Sequence, residues 1–166
     1  MPEKETLQRA AKDKREGKAP STQAGEFVRE EIEHIREGEH GARSTKQAIA
    51  IGLSKARRAG VKLPPPEKGS ASKETRRKAE QDLAAGTRGK KSVSRTRSRA
   101  TKTALKHEGH SAASPQALSK QAKSAAKKRT AAERSASARK AAKTKGPAKR
   151  SAAARKAART RAEHQT

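Results

Sequence analysis

Large apolar side chains are scarce in this chain, and most of them sit together. Leu, Ile, Val and Phe make up 14 of its 166 residues. Nine of these lie between Ser21 and Pro66: Phe27, Val28, Ile32, Ile35, Ile49, Ile51, Leu53, Val61 and Leu63. That share is far below the roughly 20% under which a highly charged chain is expected to stay unfolded. Most of the remaining hydrophobic content is alanine, which favours helix but buries little area. Such a chain cannot offset backbone entropy along its whole length. The expectation is a small folded unit over residues 21–66, with everything else attached to it.

Within that unit the apolar spacing is helical. Ser21 or Thr22 is placed to cap a first helix, in which Ala24, Phe27, Val28, Ile32 and Ile35 form one stripe that ends at Gly38. Ser44-Thr45-Lys46-Gln47 has the form of a capping box, and Ile49, Gly52, Leu53 and Ala56 make the second stripe, stopped at Gly60. Val61 and Leu63 can fold back before Pro64-Pro65-Pro66 forces an extended exit. This predicts a helical hairpin. Glu31 falls inside the first stripe and is expected to pair with a cation such as Arg57; Ile51 falls opposite Leu53. The two misfits also admit a weak homodimer through the hairpin, one remedy for a unit this small.

Outside the hairpin, residues 3–16 predict a polar flanking helix with Leu7, Ala10, Ala11 and the Lys14 stem along a thin stripe. A short helix from Lys73 to about Ala85, stopped at Gly86, lies in a linker over residues 67–93, with a flexible joint at 86–93. From Ser94 the chain turns basic and alanine-rich. It predicts a helix from Ser94 to Glu108, an unbroken pattern from Ser114-Pro115 to Gly146-Pro147, and a last stretch from Ala148 to about Ala162. A degenerate repeat runs through these joints: Glu16-Gly17 to Ser21, Glu37-Gly38-Glu39-His40-Gly41-Ala42-Arg43-Ser44, and Glu108-Gly109-His110-Ser111-Ala112-Ala113-Ser114.

Charge divides the chain in two. Residues 1–66 hold 14 basic and 10 acidic residues, net +4, while residues 67–166 hold 29 and 7, net +22. A balanced head on a strongly cationic tail points to a polyanionic partner for the tail. Mutual repulsion among those cations predicts a basic tail, residues 94–166, that is largely disordered when free and helical when phosphates neutralise it. Lys120, Lys123, Lys127, Lys128, Arg129, Arg139 and Lys140 are the expected phosphate contacts, interleaved with Ala and Ser that let a backbone approach closely. Such contacts position a protein without reading sequence. With one Phe and no Trp or Tyr, no stacking platform for single-stranded bases is expected, which favours duplex DNA over RNA.

Other chemistries are poorly provided for. Ser, Glu and five histidines occur without a spacing that holds a nucleophile, base and orienting group together, so no enzyme is expected. Glu37 with His40, or His107 with His110, brings only two donors, fewer than zinc takes, so no metal or cofactor is expected. There is no cysteine. No apolar run reaches a membrane span, the first residues do not resemble a signal peptide, and the expected place is the cytoplasm.

The run Glu26-Phe27-Val28-Arg29-Glu30-Glu31-Ile32-Glu33-His34-Ile35-Arg36-Glu37-Gly38, continuing through Ala42-Arg43-Ser44-Thr45-Lys46-Gln47-Ala48-Ile49-Ala50-Ile51-Gly52-Leu53-Ser54 to Pro66, resembles a bacterial family of small basic proteins. That family has a domain of unknown function and is at times labelled DNA-binding or plasmid-stabilisation. The resemblance covers about residues 1–85 and implies a bacterial cytoplasmic protein. Lys143-Thr144-Lys145-Gly146-Pro147-Ala148-Lys149-Arg150 and the alanine-rich run after it resemble the tails of linker histones in composition. Together these readings give an all-α chain in three parts, 1–66, 67–93 and 94–166. The expected role is a nucleoid-associated, histone-like protein that binds and compacts DNA without sequence preference. A protein-interaction adaptor or RNA-binding protein that works through the hairpin is the alternative.

Overall fold

The computed structural model of the protein describes residues 2–88 and 94–163. The described residues form seven α-helices: α1 (Lys4–Arg15), α2 (Pro20–Glu37), α3 (Thr45–Arg58), α4 (Lys73–Thr87), α5 (Arg95–Lys106), α6 (Pro115–Lys127) and α7 (Ala131–Glu163). A single 3₁₀ turn, Ser111–Ala113, precedes α6. The chain divides into two compact units, residues 1–121 and 122–166.

In the first unit α2 is the central element. The hairpin α2–α3 forms as expected, with Gly38 at φ 82° ending α2 and the Ser44 hydroxyl accepting from the Gln47 N–H at the head of α3. The start of α2 differs from expectation. Pro20 occupies the first turn, preset to helical φ, and neither Ser21 nor Thr22 serves as cap. Gly52 lets the two helices touch: a Cβ there would stand 2.6 Å from the Val28 Cα and 3.0 Å from the Phe27 carbonyl.

Two small apolar clusters flank this crossing. Ala10, Ala24, Phe27, Ala56 and Val61 form one, with Leu53 and Leu63 against it. The other joins Ile32, Ile35, Ala42 and Ala48 to Ala112 and Ala113, with Val28 and Leu118 against it. The fold-back of Val61 and Leu63 is therefore present. The second cluster departs from expectation, since three of its eight residues, Ala112, Ala113 and Leu118, come from the segment assigned to the tail.

That segment docks through backbone hydrogen bonds. Gly41 N–H donates to the Leu105 carbonyl at 2.8 Å and Ala42 N–H to the Gly109 carbonyl at 3.0 Å. Thr45 Oγ1 donates to the Ala112 carbonyl at 2.7 Å, and Arg36 Nε to that of Ala113 at 2.9 Å. The two most similar copies of the repeated joint thus lie against each other. They are not copies in backbone: Gly38 is left-handed and Gly109 is not. Residues 105–118 pack with the head, and the first compact unit runs to residue 121.

Helix α1 presents Thr6, Ala10 and Asp13 inward, while Leu7 stays 43% exposed. The expected stripe was one position off, because polar partners rather than apolar area fix this helix: Arg9 Nε donates to Glu26 at 2.7 Å and Lys18 Nζ to Asp13 at 2.6 Å. Helix α4 runs past Gly86 to Thr87 against α3. It buries Ala79 and Asp82, whose carboxylate accepts from Ser54 Oγ at 2.7 Å. Of the joint expected at 86–93, residues 89–93 lie outside the described residues.

The second unit corrects the larger expectation. The basic tail is not disordered: α7 is helical from Ala131 to Glu163, with one backbone break at Gly146 (φ 68°, ψ 169°) before Pro147. Alanine, lysine and arginine are strong helix formers, and this local preference outweighs the repulsion that argued for disorder. The unbroken helix expected from residue 115 to 145 does not occur either. α6 stops at Lys127, and a capping box restarts the chain, with Thr130 N–H donating to Glu133 Oε2 at 2.6 Å and Glu133 N–H to Thr130 Oγ1 at 3.2 Å.

Candidate functional site

The cations named from the sequence all sit at the surface. Lys120, Lys123 and Lys127 recur at spacings of three and four along α6, Lys128 and Arg129 occupy the joint before α7, and Arg139 and Lys140 lie on α7. All seven are exposed. Arg129 Nη2 donates to Ser137 Oγ and Arg139 Nη2 to Ser135 Oγ, each at 3.0 Å, hydrogen bonds to neutral hydroxyls rather than to carboxylates. Helix α7 carries eleven basic residues against two acids and buries no residue. Lys120 belongs to the first unit and the other six to the second.

A second feature is buried and was missed. Glu30 and Glu31 are 1% and 0% exposed on α2, a position where charged side chains are rarely found without partners. Their shared partner is Lys55 of α3, not Arg57: Lys55 Nζ lies 2.6 Å from Glu31 Oε2 and 3.4 Å from Glu30 Oε1. Arg57 turns the other way and donates to the Leu63 and Pro64 carbonyls at 3.2 and 3.1 Å. Glu30 also accepts from the Glu3 N–H at 3.0 Å. Burial pushes the Glu30 carboxyl up, but Glu3, Thr6 and Lys55 together outweigh it and hold the group below the usual carboxylate range.

Glu31 is less well served. Lys55 is close but off the hydrogen-bonding direction, and neither Glu31 oxygen accepts a hydrogen bond. His40 Nε2 stands 3.4 Å from Glu31 Oε1. His34, one turn along α2, completes a trio whose donor atoms all lie within 4.8 Å of one another. His34 Nε2 is 3.1 Å from Glu3 Oε1, and its Nδ1 is 3.6 Å from Glu39 Oε2. Glu37, paired with His40 in the sequence reading, is exposed and takes no part in the trio. The sequence did hold a signal, Glu31 and His34 three apart on one helical face. Only the turn after Gly38 brings His40 back to them.

No described helix is long and apolar enough to cross a membrane. Neither the curated proteins nor the solved structures include a match to this chain. Residues 5–68 match the model of a family of unknown function, DUF6496. The matched span is shorter than the expected resemblance, running from α1 to just beyond the prolines, and it contains Glu31, His34, His40 and Lys55 but none of the seven surface cations.

Proposed function

We propose that the protein binds duplex DNA through phosphate contacts of α6, α7 and the joint between them, without sequence preference, and compacts it in the manner of a nucleoid-associated protein. One observation carries this reading: seven cations stand exposed, five on formed helices and two in the short joint between them, interspersed with Ala and Ser and set within a region of net +22. Binding by formed helices avoids the ordering cost that a disordered arm would meet. A phosphate backbone is the polyanion that needs no more than such a surface.

The alternative, an adaptor that works through the hairpin, has less to support it. The apolar faces of α2 and α3 are taken up by α1, α4 and the 3₁₀ turn, and Leu7 is the one large apolar side chain left exposed among the described residues. The test is a titration of the full chain against labelled duplexes of two sequences at several salt concentrations. Seven phosphate contacts give a slope of log K against log salt of about −6. Changing all seven cations to Gln removes most of that slope and affects both sequences alike. Undiminished binding by that variant sinks the assignment, and stronger binding to a single-stranded RNA would favour the other reading.

A further inference from the structure

We propose that Glu31, His34 and His40 bind a divalent transition-metal ion, with zinc the best-suited class, and that this ion ties the α2–α3 turn to α2. The argument begins with the His40 ring. Its Nδ1 lies 3.1 Å from the Gly41 carbonyl, which can only accept, so Nδ1 carries a proton. In the neutral ring Nε2 is then a bare lone pair, 3.4 Å from Glu31 Oε1. Two acceptors this close in a buried site call for a positive centre near both, either a second ring proton or a metal ion.

Three further facts favour the metal. Glu31 is fully buried with no hydrogen bond to either oxygen, whereas buried polar atoms are nearly always satisfied. Zinc bound to nitrogen and oxygen at about 2.0–2.2 Å sets neighbouring tetrahedral donors about 3.4 Å apart, the separation between His40 and Glu31. His34 supplies the third donor within 4.8 Å, and whichever of its nitrogens turns to the metal, the other has a carboxylate beside it, Glu3 or Glu39. That is the outer arrangement which orients ligating histidines.

Lys55 does not block the site. It approaches Glu31 through Oε2, leaving Oε1 on the His40 side. A carboxylate bound through one oxygen and neutralised at the other suits a buried site, where an uncompensated charge is costly. The side chains of His34 and His40 keep 11% and 17% of their exposure, so an ion can enter and a water can take the fourth position.

The experiment uses the full chain, stripped of metal by a chelator, and titrates Co²⁺ and then Zn²⁺. One equivalent of Co²⁺ should produce the visible bands of a four-coordinate nitrogen–oxygen site, and Zn²⁺ should abolish them. His40→Ala and His34→Ala should each weaken binding at least tenfold, since even a supporting partner of a ligand is worth about that much. His107→Ala, on a residue outside the cluster, should change nothing. Should the variants fail to fold, the ring signals of the wild-type histidines decide: Zn²⁺ must shift those of His34 and His40 and spare that of His107. Equal affinity in wild type and the His34→Ala/His40→Ala double variant, no saturable binding, or zinc-induced shifts confined to other histidines would each overturn the proposal.

Discussion

Single residues decide how closely the helices of the head approach. Gly52 was legible as part of the α3 stripe, but the stripe alone does not say that the backbone of α2 lies against it. Gly52→Ala places a methyl against Val28, and neither backbone can yield as a flexible side chain would. The expected loss is about 1–3 kcal/mol of stability, the range for overpacking a tight contact, read by chemical denaturation. Glu133 governs the start of α7 in another way. The Thr130 N–H and hydroxyl hold its carboxyl below the usual range, helped by Arg129 against a small burial effect. A depressed folded pKa adds stability above the ordinary carboxylate pKa and loses it as pH falls through the depressed value. Amide protection in the first turn of α7, taken relative to the intrinsic exchange rate at each pH, should therefore fall on acidification, and Glu133→Gln should flatten that dependence. Residue spacing on a wheel also misjudged Glu31: it identified the buried face but not that Lys55, rather than Arg57, has the reach to meet it.

Elements were legible wherever local signals agreed. Gly38, the Ser44 cap, the Ser114-Pro115 start and the Gly146-Pro147 break all fall where expected. The capping box Thr130-Ala131-Ala132-Glu133 is also written in the sequence, and it separates α6 from α7. What local signals cannot reveal is which turn docks on which. The 105–114 segment has almost no large apolar residue, so composition assigned it to the tail. It is held instead by backbone hydrogen bonds and by two alanines, Ala112 at 6% and Ala113 at 1% exposure. Gly41 makes this docking possible, because a side chain there would run into the Glu108 carbonyl. Gly41→Ala should detach the segment, raising amide exchange at Ala42 and across Ser111–Ala113. Exchange at the α1–α2 contact around Arg9 and Glu26 should stay as it was. A uniform rise across the first unit would mean that the segment is integral to the whole core rather than a docked strap.

For the molecule as a whole, composition correctly marked where apolar burial concentrates and where charge accumulates, and misjudged what charge does to structure. Net +22 over residues 67–166 argued for disorder, yet helix formation in α7 draws on intrinsic preference and caps rather than on a core. The two units should therefore melt differently. Residues 1–121, with two apolar clusters and a buried ion network, should unfold in one cooperative calorimetric transition. α7 buries nothing, so its helix should fade over a broad range, visible by circular dichroism at 222 nm but contributing little to the calorimetric peak. Duplex DNA at low salt separates the two further. A ligand present at 100 times its dissociation constant stabilises the state it binds by about 2.7 kcal/mol, and the proposed contacts fall almost entirely in the second unit. The broad helical melt should move to higher temperature and the cooperative peak should stay in place. If DNA instead raised the cooperative transition and left the broad one untouched, the binding surface would lie on the head, and the exposed cations of α6 and α7 would need another explanation.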